Sequence, residues 1–90
     1  MKSLHCVVSG KVQGVFFRSW VFDQAQSLEL RGWTRNLRDG EVEILAQGED
    51  EALDSLKERL TQGSSLARVT DVKCNEIDYE KEYGTFEIRG

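Results

Sequence analysis

The chain has no proline, two cysteines, one histidine and no long apolar run. Each scarcity excludes something. A membrane-spanning helix needs about 20 consecutive apolar residues, and no stretch approaches that length. The first residues carry one lysine, Lys2, and a short apolar run broken at Ser9 and Gly10. No secretory signal is therefore expected, and the cytoplasm is the expected location. No repeat, low-complexity run or linker divides the 90 residues, which predicts one domain over 1–90. Cys6, Cys74 and His5 show no metal-ligand spacing, because His5 and Cys6 are neighbours on a strand-like run and point to opposite faces. No metal or cofactor is expected, and the two thiols are expected to stay reduced. Positive charge is also in deficit, with a formal net charge of -4. General nucleic-acid binding rests on neutralising phosphates with Lys and Arg, so that class is disfavoured. One local anion site remains possible.

What is present is an ordinary folded composition, 39% apolar and 31% charged. Residues 4–9 form an apolar run ending at Gly10, which reads as a central strand. From Phe17 the period changes, and Phe17, Val21, Ala25 and Leu28 fall on one helical face. Residues 33–37 read as strand and 42–47 as its return, joined by Arg38-Asp39-Gly40-Glu41. Asp-Gly between extended runs signals a tight hairpin whose two central positions favour positive φ. Gly48-Glu49-Asp50 opens a second helix with Leu53, Leu56 and Leu60 as its buried stripe. Residues 68–79 and 85–89 read as further strands. The order β-α-β-β-α-β with an extra edge strand predicts an α+β, ferredoxin-like sandwich, an antiparallel sheet with both helices on one face. Many unrelated activities share that plan.

Two segments carry candidate chemistry. The first, Gly10-Lys11-Val12-Gln13-Gly14-Val15-Phe16-Phe17-Arg18, leaves a strand through two glycines and enters a helix. Glycines let successive backbone N–H groups converge into an anion-binding concavity, and the free N–H groups at the helix start add to it. Arg18 can pair two guanidinium N–H groups with two phosphate oxygens. The Gly-Lys-Ser/Thr ending of a nucleotide-binding loop is missing. The second segment, Gly32-Trp33-Thr34-Arg35-Asn36, brings a side-chain amide that can accept from water and donate to a phosphoryl oxygen. On residue chemistry alone the first segment reads more readily as a plain surface connection, and Asn36 equally well as a turn-flanking residue bonded to its own backbone.

Together, Gly10-x-Val12-Gln13-Gly14-Val15-x-Phe17-Arg18 and Gly32-Trp33-x-Arg35-Asn36-x-x-x-Gly40-x-Val42 resemble the two signatures of the acylphosphatases. The resemblance runs over the whole chain. It implies the ferredoxin-like fold and hydrolysis of the carboxyl-phosphate bond of acyl phosphates without a metal. It implies that Arg18 binds the phosphate together with loop amides of Gln13, Gly14, Val15, Phe16, Phe17 and Arg18, and that Asn36 orients the attacking water. The partners implied are a small acyl phosphate and other small anions, with no nucleic acid or membrane, and the chain is expected to be a monomer. If the family's strand order holds, the first and fourth strands are neighbours and Cys6 and Cys74 could approach.

Three places depart from the family pattern, one of them Gly63-Ser64-Ser65, which lacks a proline often found there. Thr34 stands where Ala, Val or Cys is usual, so its hydroxyl needs a partner. Glu29 replaces a glycine after the first helix, costing about 1 kcal/mol if the backbone there stays left-handed. Two other functions fit the same fold less well. A non-catalytic anion sensor would use Arg18 and Asn36 for binding alone. An RNA-binding sheet would need closely spaced exposed aromatics flanked by basic residues, and the strands lack them.

Overall fold

The computed structural model describes residues 2–90. In chain order the elements are β1 (Lys2–Lys11), α1 (Phe17–Ser27), β2 (Arg31–Asn36), β3 (Val42–Gln47), α2 (Asp50–Gln62), β4 (Arg68–Asp78) and β5 (Phe86–Arg89). The sheet order is β4-β1-β3-β2-β5. Four strands pair antiparallel, as the sequence predicts, but β5 lies parallel to β2 and makes the sheet mixed. Alternation along β1 sends Leu4, Cys6 and Val8 to one face. They meet Phe17, Val21 and Ala25 of α1 and Leu53, Leu56 and Leu60 of α2 in a single core. Truncating any of these buried leucines to alanine costs about 2–5 kcal/mol.

Local geometry decides where β1 releases the chain. Its register with β4 shifts between Ser9 and Gly10. Gly10 has φ 125°, and a Cβ there would sit 2.0 Å from the Arg68 carbonyl oxygen, so no other residue fits without moving backbone. The bulge turns the strand end toward the α1 start. At the other end of α1, Glu29 keeps the left-handed conformation (φ 56°). Leu30 N–H donates to Ala25 O and Glu29 N–H to Gln26 O, a Schellman closure that offsets the cost of a side chain there. Thr34 is fully buried, and its hydroxyl donates to Glu43 O at 3.1 Å.

Two expectations are corrected. The β2–β3 hairpin is looser than a two-residue turn. Leu37 N–H donates to Glu41 O, Gly40 N–H to Leu37 O, and only Gly40 has positive φ. Asp39 accepts from the Glu41 N–H instead of entering the left-handed region, so the loop holds three residues. The cysteines are not separate thiols. Cys6 and Cys74 are direct cross-strand partners in the β1–β4 register, with Cα atoms 4.1 Å apart, and form a disulfide. Closing a loop with a sequence separation of 68 stabilises the fold by about 4 kcal/mol in the chain-entropy model. That partnership depends on strand register, which spacing along the chain does not reveal.

The second sheet face, away from the helices, is partly covered by a strap formed by residues 79–85. Fully buried Gln47 holds it, donating to Lys81 O (2.7 Å) and Ser3 Oγ (3.0 Å) and accepting from Tyr83 N–H (3.0 Å). Trp33 donates its indole N–H to the Tyr83 hydroxyl. The strap delivers the chain into β5.

Candidate active site

The segment between β1 and α1 is shaped by two left-handed residues, Gly14 (φ 75°) and Phe16 (φ 61°). Phe16 occupies the position just before α1, and no side chain caps that helix. Its first intrahelical bond runs from Trp20 N–H to Phe16 O. The N–H groups of Phe17, Arg18 and Ser19 therefore have no acceptor within the helix. No acidic residue lies in the first turn, so the positive end of the helix dipole is uncompensated by the chain itself.

The loop is tied to the β2–β3 hairpin. The Gln13 side-chain amide donates to Leu37 O (2.7 Å) and Glu41 O (2.8 Å), and Ser9 Oγ donates to Glu41 Oε2 (2.6 Å). These bonds fix the β2 end, and hence Asn36, relative to the loop. Arg18 is oriented from a third direction, because its Nη1 donates to the carbonyl oxygen of Arg89 on β5. The guanidinium carries further N–H donors beyond this one.

A cleft of about 240 Å³ is lined by Val12, Gly14, Phe16, Phe17, Arg18, Ser19, Asn36 and Ile88. It brings together Arg18, Asn36 and three of the loop residues singled out in the sequence. Gln13 and Val15 are not on its wall. The Gln13 side chain is committed to the hairpin, and Val15 borders an adjoining groove. Asn36 Oδ1 is buried with no hydrogen-bond partner among the described residues. A buried acceptor of this kind is uncommon. Exchanging the two ends of the amide about χ2 breaks no hydrogen bond to that oxygen.

Four contributors were not singled out beforehand. Ser19 was legible, as the residue after Arg18 on the first helical turn. Val12 is the buried anchor of the loop. Ile88 and the Arg89 carbonyl reach the site only through the parallel β2–β5 pairing, which has no local sequence signal. A larger depression, about 420 Å³, lies at the opposite end of α1 beside Glu29, Arg31 and Glu49. Its two carboxylates make it a poor anion receptor.

His5 lies on the other sheet face, where its Nε2 meets Glu43 Oε2 at 2.7 Å, and Arg35 Nε meets Glu43 Oε1 at 2.5 Å. Burial pushes the Glu43 carboxyl up, but the bonds and charges of His5 and Arg35 outweigh it and hold the group below its ordinary value. This network braces β1, β2 and β3 without entering the cleft.

Comparison with known proteins supplies a family. The acylphosphatase family model matches residues 4–88. An acylphosphatase of Nitrosococcus oceani is 45% identical over 86 residues, covering 96% of each chain. The crystal structure of acylphosphatase from Bacillus subtilis aligns with a TM-score of 0.94 at 39% identity over 100% of both chains. An acylphosphatase structure from Coxiella burnetii aligns with a TM-score of 0.92 at 43% identity, covering 98% of this chain and 92% of that one.

Proposed function

The chain belongs to the acylphosphatase family, and from that premise we propose that it hydrolyses acyl phosphates without a metal, using Arg18 and Asn36. The phosphoryl group sits against the α1 start, held by the remaining guanidinium N–H groups of Arg18 and by backbone amides of residues 13–18. Water held by the Asn36 amide attacks phosphorus. The bond from phosphorus to the bridging oxygen breaks, the acyl group leaves as a carboxylate, and the water's proton ends on inorganic phosphate.

Why so few groups suffice follows from the leaving group. A carboxylate is stable at neutral pH, so no general acid need protonate it. What remains is alignment and stabilisation of charge on the phosphoryl oxygens, which preorganised donors supply. A Lewis acid is not required for either. The observation that carries this proposal is the convergence of Arg18, the uncapped α1 start and Asn36 on one cleft.

The test is release of phosphate from acetyl phosphate in the presence of a chelator, with ordinary phosphate esters as controls. Turnover of acetyl phosphate alone, untouched by the chelator, is expected. Abolition by the chelator would overturn metal independence, and no release at all would overturn the activity. A monomer working in the cytoplasm completes the proposal. Among the described residues no helix is long and apolar enough to cross a membrane. The Cys6–Cys74 bond is unusual for a reducing cytosol, so cell fractionation tests the compartment. The chain in the cytosolic fraction supports the cytoplasm; the chain outside the cytosol counts against it.

A further inference from the structure

Among the described residues three large apolar side chains are exposed, and all three border the phosphate cleft or the groove beside it: Phe16 at 78%, Leu66 at 64% and Ile88 at 43%. Phe16 is also one of only two described non-glycine residues with positive φ. A bulky side chain in that conformation costs roughly 1–2 kcal/mol. The backbone geometry of the loop explains a residue with positive φ there, but not a phenylalanine turned out to solvent.

We propose that Phe16 and Leu66 form a subsite for the acyl group, and that the protein prefers acyl phosphates whose acyl part is apolar and larger than acetyl, such as an aromatic ring. The proposal rests on the hydrolysis described above and adds the substrate class. A groove of about 230 Å³ meets the cleft at Phe16 and Ser19 and continues past Val15 and Trp20 to Leu66. None of its walls belongs to β2, the strand that carries Asn36. In-line displacement puts the leaving oxygen opposite the attacking water. With the water on Asn36, the acyl group departs away from β2, toward the Phe16 side. There it meets an aromatic ring and a leucine in a groove whose only charged wall residue is Asp23. Apolar burial favours a ring over a methyl group, and the Asp23 carboxylate disfavours acyl groups that carry their own negative charge.

The experiment compares kcat/KM for benzoyl phosphate, acetyl phosphate and succinyl phosphate in the wild type and in Leu66→Ser and Leu66→Asp. Leu66 is not on the wall of the phosphate cleft, so acetyl phosphate turnover and inhibition by inorganic phosphate should be unchanged. The wild type should favour benzoyl over acetyl phosphate by about tenfold or more, with succinyl phosphate the poorest. Leu66→Asp should cut the benzoyl-to-acetyl ratio at least threefold, and Leu66→Ser by less. Equal use of benzoyl and acetyl phosphate by the wild type overturns the subsite while leaving the hydrolysis standing. So does a ratio unchanged in both variants. A wild-type dimer lost in Leu66→Asp, with the ratio unchanged, would give the groove to a second copy of the chain and also overturn the subsite. Failure of the wild type on all three substrates would instead remove the hydrolysis itself.

Discussion

The two helices begin alike and are finished differently. Neither α1 nor α2 has a side-chain cap, so each presents unbonded N–H groups and a positive dipole end. At α2 the chain supplies its own anions, Asp50 and Glu51, in the first turn. Lys2 then approaches Asp50 at 3.3 Å. At α1 there is no acid, and Arg18 adds a further positive charge where α2 has a carboxylate. One end is neutralised from within; the other is not, and under the proposed function the substrate phosphate supplies that charge. A helix start becomes a receptor when the sequence withholds its usual carboxylates and the surrounding chain places a cation and a polar amide beside it.

The largest way to break this contrast is Arg18→Gln. A preorganised donor is worth about 10²–10³ in kcat, and with the charge also lost, turnover of acetyl phosphate should fall below detection while the thermal transition stays in place. Full activity in this variant would end the assignment of Arg18. Asn36→Ala should lower kcat by about 10², with little change in KM, because the amide acts on water and not on phosphate affinity. A pure KM effect would make Asn36 a substrate-binding group. Ser19→Glu gives α1 the kind of first turn that α2 has. Inhibition by inorganic phosphate should weaken by about tenfold, while the helix gains about 0.3–1 kcal/mol in stability. Binding and stability moving in the same direction would contradict the contrast. The mirror change, Asp50→Asn, should cost at most about 0.3–1 kcal/mol in chemical denaturation and leave turnover untouched. Its ion pair with Lys2 is exposed and adds little.

The fold was legible because its signals are local. Helical period at Phe17, Val21 and Ala25, alternation in β1, and the leucine stripe of α2 each follow from a few adjacent residues. The candidate site was legible for its local half, since the glycines, Arg18 and Asn36 lie within two short segments. What escaped depends on register between distant strands. The Cys6–Cys74 bond needs β1 and β4 aligned to the residue. Ile88 reaches the cleft through a parallel pairing that no local pattern encodes. The strap escaped for a related reason: Gln47 reads as the polar end of a strand, and only the folded chain makes it the hub of three bonds. The hairpin was mistaken in detail because Asp39 satisfies a backbone N–H with its side chain, an alternative to positive φ.

The bond from Arg18 to the Arg89 carbonyl spans 71 positions. A growing polypeptide makes Arg18 well before the oxygen that aims it. Nascent chains that stop before β5 can therefore build α1 and the curled loop while leaving the guanidinium unaimed. Competence in such a molecule arrives only with β5.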